Sequence, residues 1–125
     1  MLISPDAPRE VLIVDDDLDA REALAELLEY RGFSVGSAAN GREALNYLRS
    51  SSQPRIIILD LMMPMMDGWE FLEHQSRDFA LMEIPVIVLT ATPPSQPVRA
   101  KVVLQKPIQF DSLVKLLNQY LPAAA

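Results

Sequence analysis

The chain has 125 residues, 50% of them hydrophobic, a size that suits one compact domain with a single core. Its net charge of −6 argues against a direct nucleic-acid partner, because phosphate backbones are bound through clustered lysine and arginine. The absence of cysteine excludes disulfides and thiolate metal sites. The N-terminus lacks the pattern of a signal peptide, and no run approaches the roughly 18 apolar residues of a membrane span. We therefore expect a cytoplasmic protein with no membrane association.

The first half of the chain alternates strand-like and helix-like segments. An apolar run of the kind that is buried on both faces ends in three aspartates. A helical pattern follows, with Gly32 where a C-cap glycine belongs, and Asn40 occupies the N-cap position of another helix. The predicted elements are a strand at 11–14, a helix from 19 to Gly32, a strand at 33–37 and a helix after Asn40 that ends near 49–54.

The second half continues the alternation until one helix is missing. The predicted elements are a third strand at 56–60, a loop at 61–68, a third helix carrying Trp69, a fourth strand at 85–90, a fifth strand at 102–105 and a final helix from Phe110 to Leu121. Strands that alternate with helices predict an α/β protein with a parallel, doubly wound sheet.

Polar side chains follow four of the predicted strands, at the edge where such sheets place their sites. They are Asp15, Asp16, Asp17, Asp60, Thr90 and Lys106. Carboxylates that meet there repel each other by roughly 4 kcal/mol per pair at 4 Å for an effective dielectric near 20, so we expect a cation. A ligand set of oxygens alone favours Mg²⁺. A carboxylate beside Mg²⁺ can attack phosphorus and form an aspartyl phosphate, and Asp60 is the best-placed nucleophile.

The segments "VLIVDDD", "IIILDLMMPMMDGWEF", "PVIVLTA" and "LQKP", in this order, resemble the receiver domain of bacterial two-component response regulators. The resemblance covers nearly the whole chain. It implies a flavodoxin-like sheet of strand order 2-1-3-4-5. It also implies one receiver domain over 1–125, with a core at about 9–121 and flexible ends at 1–8 and 122–125.

The resemblance also assigns roles to individual residues. Asp60 matches the phosphoacceptor, and the implied metal ligands are Asp15, Asp16, Asp60 and the backbone carbonyl of Met62. Thr90 and Lys106 match the residues that bind the phosphoryl group, and Pro107 matches a proline that follows a cis peptide bond. The implied cofactor is Mg²⁺. The implied partners are a sensor histidine kinase or a histidine phosphotransfer protein, together with an unidentified downstream protein.

Two departures from the family fall in the output region. Pro93, Pro94 and Pro97 remove backbone donors and restrict the residues before them, so the helix usual between the fourth and fifth strands is predicted to be shortened or replaced by a loop. At most one turn could begin at Pro97. Val103 stands where receivers commonly carry an aromatic switch residue. We expect intact phosphorylation and an altered output face.

Three functions are open at this point. The first is a signalling receiver that is not an enzyme beyond its own phosphorylation and dephosphorylation. The second is a pseudo-receiver, an interaction module that works without phosphorylation. The third is an aspartate-nucleophile phosphatase of the haloacid dehalogenase type, which would need a second aspartate where Met62 stands.

Overall fold

The computed structural model describes residues 10–50 and 53–121. The predicted flexible ends, 1–8 and 122–125, lie outside these residues. The described elements are β1 (Val11–Val14), α1 (Leu18–Tyr30), β2 (Val35–Ala38), α2 (Gly41–Ser50), β3 (Ile56–Asp60), α3 (Gly68–Ser76), β4 (Val86–Thr90), β5 (Val102–Gln105) and α4 (Phe110–Tyr120). In the part of the chain that these ranges cover, no helix is long and apolar enough to cross a membrane.

The five strands form one parallel sheet of order β2-β1-β3-β4-β5, as expected. β1 lies between β2 and β3, with Val14 paired to both Ala38 and Leu59. This register brings the chain after β1 beside the end of β3, because parallel neighbours finish at the same edge. The sheet therefore carries the acidic residues to one edge, where β4 and β5 also end.

Alternation along the strands divides the core into two layers. Leu12 and Val14 point to the layer covered by α2 and α3, whereas Val11 and Ile13 point to the layer covered by α1 and α4. All four are at most 1% exposed. A sheet buried on both faces explains why the strands read as unbroken apolar runs, and it confirms the doubly wound fold.

The structure shifts the predicted start of the second strand by two residues. Gly32 has φ +95°, and the N–H of Phe33 donates to the carbonyl of Leu28 at 3.0 Å, which closes a Schellman motif after α1. Phe33 is thus part of the helix end, and β2 begins only at Val35. Sequence alternation could not show this, because the bond uses the backbone of Phe33.

The connection between β4 and β5, residues 91–101, contains no helix, not even the single turn that Pro97 could have started. Val98 and Ala100 pack against the α2–α3 layer in place of helical side chains. The N–H of Lys101 donates to the Val86 carbonyl at 2.9 Å and returns the chain to the sheet edge. We call residues 91–101 the proline crossover. The sequence prediction of a replaced helix is confirmed.

Candidate metal and phosphoryl site

The acidic loop after β1, residues 15–17, is held by its own hydrogen bonds. The N–H of Asp17 donates to Asp15 Oδ1 at 2.9 Å, and the N–H of Asp15 donates to the Ala38 carbonyl at 3.1 Å. Asp17 turns away from the site and caps α1 through a bond from the Ala20 N–H at 3.2 Å. Asp17 therefore serves as the N-cap of α1, and Asp15 and Asp16 remain for the site.

Asp60 ends β3, and the loop after it is folded tightly against the strand. The Met62 N–H donates to Asp60 Oδ1 at 3.2 Å. Gly68 donates its N–H to the Leu61 carbonyl at 2.9 Å, and a Cβ at Gly68 would lie 2.7 Å from Leu61 Cα. The "DG" pair is thus explained: Asp67 caps α3 with a capping box, and Gly68 allows the helix to start against the strand end.

Asp15, Asp16 and Asp60 form a cluster in which one carboxylate oxygen of each lies within 4.8 Å of the others. The Asp15 and Asp60 side chains are only 13% and 14% exposed, whereas Asp16 faces solvent. Three hard oxygen donors with one side open to water fit Mg²⁺, which keeps several waters and takes one or two carboxylates.

Lys106 supplies the positive charge of this edge. Its Nζ lies 3.6 Å from Asp15 Oδ2 and 3.9 Å from Asp60 Oδ2, so it acts as a shared point charge between the two carboxylates. The peptide bond between Lys106 and Pro107 is cis, the isomer that the resemblance implies. Lys106 directly follows β5, and its N–H donates to the carbonyl of Thr90 on β4 at 2.7 Å. This bond fixes the main chain of Lys106 at the edge of the sheet.

Thr90 lies at the end of β4 and is 2% exposed. Its hydroxyl donates to the Thr92 carbonyl at 2.7 Å, at the start of the proline crossover. The hydroxyl expected to bind a phosphoryl group is therefore already committed to the crossover in this state.

Burial raises the pKa of the Asp60 carboxyl above its ordinary value of 3.8. The Lys106 charge and the Met62 N–H act in the opposite direction, while the charges of Asp15 and Asp16 add to the rise. Burial and repulsion thus disfavour the charged form of Asp60, which a nearby cation would stabilise.

Two features of the site were not predicted from the sequence. Arg21 Nη1 donates to the Asp15 carbonyl at 2.7 Å, reaching back from α1 to the acidic loop. An apolar groove of about 510 Å³ borders the site; its walls are Asp15, Ala20, Leu24, Leu27, Leu89, Lys106, Pro107, Ile108 and Phe110. We call it the α1–α4 groove. The helical spacing of Leu24 and Leu27 indicates an apolar face on α1, but it does not show that this face borders the site.

Val103 lies on β5 with its side chain 39% exposed, and it carries no ring that could turn between a buried and an exposed position. Met62, two residues after Asp60, is 63% exposed. A thioether at this place cannot serve as the second acid that a haloacid-dehalogenase-type phosphatase needs.

The comparisons with known proteins agree with this geometry. The response regulator MprA of Mycolicibacterium vanbaalenii is 43% identical over 84 residues, which is 67% of this chain and 35% of MprA. The response regulator Rre1 of Synechocystis is 41% identical over 85 residues, 67% of this chain and 36% of Rre1. The chain thus spans about a third of the length of these curated relatives.

Solved structures show the same fold over nearly the full chain. The signal receiver domain of a histidine kinase from Syntrophus aciditrophicus has a TM-score of 0.84 and 29% identity, with 94% of this chain and 96% of that one covered. The response regulator TrrA of Thermotoga maritima, solved in complex with Mg²⁺ and BeF, has a TM-score of 0.79 and 28% identity, covering 90% of this chain and 99% of that one. The response regulator receiver domain family matches residues 11–118. The chain therefore belongs to the response regulator receiver domain family of two-component signal transduction.

Proposed function

We propose that this receiver domain accepts a phosphoryl group on Asp60 in a Mg²⁺-dependent reaction. The observation that carries the proposal is the cluster of Asp15, Asp16 and Asp60, whose oxygens lie within 4.8 Å of one another beside Lys106. Family membership supports the same chemistry, because receiver domains take phosphoryl groups from histidine kinases or phosphotransfer proteins.

In this proposal the carboxylates of Asp15, Asp16 and Asp60 hold Mg²⁺ together with the Met62 carbonyl. When bound, the ion offsets negative charge on the oxygens of the transferred group. The family relative TrrA was solved with Mg²⁺ and BeF, which supports the choice of metal.

The residues of this chain then carry the transfer. An oxygen of Asp60 attacks phosphorus in line with the bond to the donor nitrogen; the O–P bond forms, the P–N bond breaks and its electron pair returns to the donor imidazole. Lys106, shared between Asp15 and Asp60, remains beside the new acyl phosphate as its counter-charge. The half-buried setting of Asp60 limits water around the product.

The donor is proposed to be a sensor histidine kinase or a histidine phosphotransfer protein that docks through the α1–α4 groove. The groove is mostly apolar and includes Asp15 and Lys106 in its wall, so a partner seated there would present its histidine at the site. Leu27 is 47% exposed at this surface, and an exposed leucine gains from being covered.

We further propose that the output passes through the proline crossover. When the Thr90 hydroxyl turns to donate to the phosphoryl group, it gives up its bond to the Thr92 carbonyl. The start of the crossover then loses its side-chain bond to β4, while the bond of Lys101 to Val86 remains at the other end. No aromatic residue at Val103 is needed to report this change. The downstream protein would read the face made by the crossover and β5; direct contact of this domain with nucleic acid is not expected at a net charge of −6. A cytoplasmic location follows from the two-component role.

Incubation with Mg²⁺ and a small acyl phosphate, followed by intact-mass measurement, tests the proposal. Wild type should gain one phosphoryl group, and both Asp60→Asn and wild type with excess EDTA should gain none. Asp17→Asn is the matched control, because Asp17 caps α1 and asparagine caps equally well.

Two results would contradict the proposal. A mass gain in Asp60→Asn equal to that of wild type would place the phosphoryl group elsewhere. No gain in wild type, with the acyl phosphate and with a histidine kinase, would favour the pseudo-receiver, for which the missing helix is the supporting observation.

A further inference from the structure

We propose that Arg21 is a positioning residue that holds the acidic loop, residues 15–17, in the shape that Mg²⁺ binding requires. This inference rests on the proposed function and deepens it. Arg21 is the fourth residue of α1 and does not belong to the carboxylate cluster. It acts through Asp15 and Asp17.

Arg21 binds the acidic loop at both of its ends. Its guanidinium Nη1 donates to the Asp15 carbonyl at 2.7 Å, and its backbone N–H donates to the Asp17 carbonyl at 2.9 Å. The first bond is charge-assisted and lies at the short end of the range for such contacts. Arg21 is thus bonded to the main chain on both sides of Asp16, at Asp15 and at Asp17.

The position of Asp16 depends most on these two bonds. Among the described residues it makes no hydrogen bond of its own, and its side chain faces solvent, yet its carboxylate must stay within 4.8 Å of Asp15 and Asp60 to share a cation. Its position is therefore set by its two neighbours. The Arg21 side chain holds the carbonyl of Asp15, and the Arg21 backbone N–H, in the first bond of α1, holds the carbonyl of Asp17.

The positive charge of Arg21 also stabilises the acidic loop, in addition to the hydrogen bond that its guanidinium makes. Three clustered carboxylates repel one another before a cation arrives, and this repulsion favours an open loop. A guanidinium bonded to the main chain behind the loop offsets part of the repulsion and leaves the carboxylate oxygens free. Lys106 lies beside the carboxylate oxygens of Asp15 and Asp60 and makes no described bond to the carbonyl of Asp15, so it does not replace this contact.

A structural role limited to the start of α1 is the competing interpretation, and the variants are chosen to separate the two. Arg21→Ala removes the side-chain bond, and Arg21→Lys keeps a charge without the planar fork. Arg42→Ala is the matched control, because Arg42 is exposed on α2 and makes no described contact with the site. The probe is Mg²⁺ alone, titrated against the loop amide signals by nuclear magnetic resonance.

We expect Arg21→Ala to weaken Mg²⁺ binding about tenfold, the worth of one hydrogen bond to a charged group. The phosphorylation rate at saturating Mg²⁺ should stay within about twofold of wild type, since Arg21 touches no reacting atom. In the metal-free protein, the Asp17 amide, which donates to Asp15, should exchange with solvent faster. Arg21→Lys should lie between, and Arg42→Ala should match wild type.

Unchanged Mg²⁺ affinity in Arg21→Ala would overturn the proposal, as would an equal loss in Arg42→Ala. If Arg21→Ala does not fold, Arg21→Lys decides: affinity equal to wild type overturns the proposal, and weaker binding with normal unfolding supports it. A wild-type protein that binds Mg²⁺ but takes no phosphoryl group contradicts the proposed function, and the affinities still decide on Arg21. A wild-type protein that binds no Mg²⁺ overturns both.

Discussion

At the scale of single residues, we expect Met62 to control how water reaches the proposed aspartyl phosphate. Its N–H bonds to Asp60 Oδ1, so its side chain starts beside the site, yet the thioether can neither orient nor deprotonate water. We therefore expect the phosphoryl group to be hydrolysed slowly.

Met62→Asn should speed dephosphorylation about tenfold, because an amide can position the attacking water. The decay of phosphorylated protein, followed by intact mass after removal of the donor, measures this. Met65→Asn is the control: Met65 lies in the same exposed loop at φ +69°, a conformation that asparagine tolerates. An unchanged or slower decay in Met62→Asn would disprove the role of Met62.

At the scale of elements, α1 and the connection into α4 frame the α1–α4 groove beside the acidic edge, where we propose that the phosphodonor docks. Leu27→Glu should lower the rate of phosphotransfer from a protein donor about tenfold, because a charge replaces an apolar contact in the groove. Phosphorylation by a small acyl phosphate should be unchanged, since Leu27 lies outside the carboxylate cluster. Stopped reactions with each donor compare the two rates.

Tyr30→Glu serves as the matched control for the groove, because Tyr30 is 88% exposed on α1 and is not part of the groove wall. A loss with both donors would point to a damaged site. An equal loss for Tyr30→Glu would show that the added charge, and not the groove, is responsible.

The strands and helices were the features of this protein that the sequence predicted best. Buried runs that end in aspartate predicted β1 and β3 and their shared edge, and three prolines predicted the loss of a helix. Contacts made by long side chains across turns could not be predicted. Arg21 and Gln75 gave no sequence signal. The Gln75 amide nevertheless donates to two carbonyls of the α3–β4 connection at 3.0 and 2.9 Å. Such bonds depend on where a loop passes, and hydrophobic periodicity does not encode this.

At the scale of the whole molecule, the raised pKa of Asp60 means that its charged carboxylate lowers the stability of the metal-free fold. The folded protein holds Asp60 with a raised pKa, so its contribution to stability is complete below pH 3.8 and is lost as pH rises through the folded value. Above that value the charged carboxylate is half-buried among other charges.

Asp60→Asn should therefore raise the free energy of unfolding at pH 7 in EDTA by about 1 kcal/mol. This is the low end of the cost of burying a polar group whose interactions do not fully replace those with water. The gain should vanish near pH 3.8 and below. Urea unfolding across this pH range measures it, with Asp17→Asn as the neutral control. Saturating Mg²⁺ should stabilise wild type more than Asp60→Asn, as expected for a ligand that binds only the folded state. Equal stability of the two proteins at pH 7 would contradict this account.

The proline crossover also makes this domain suitable for engineering. Residues 91–100 contain one described backbone hydrogen bond between themselves, from the Ala100 N–H to the Val98 carbonyl. After the crossover, the bonds of Lys101 to Val86 and of Lys106 to Thr90 hold the two ends of β5 against β4. Exposed segments with few bonds tolerate inserted sequence. A circularly permuted fluorescent protein placed after Ser95 would leave the five strands paired and convert the proposed release of the Thr92 carbonyl into an optical signal, so the chain would report on its proposed kinase.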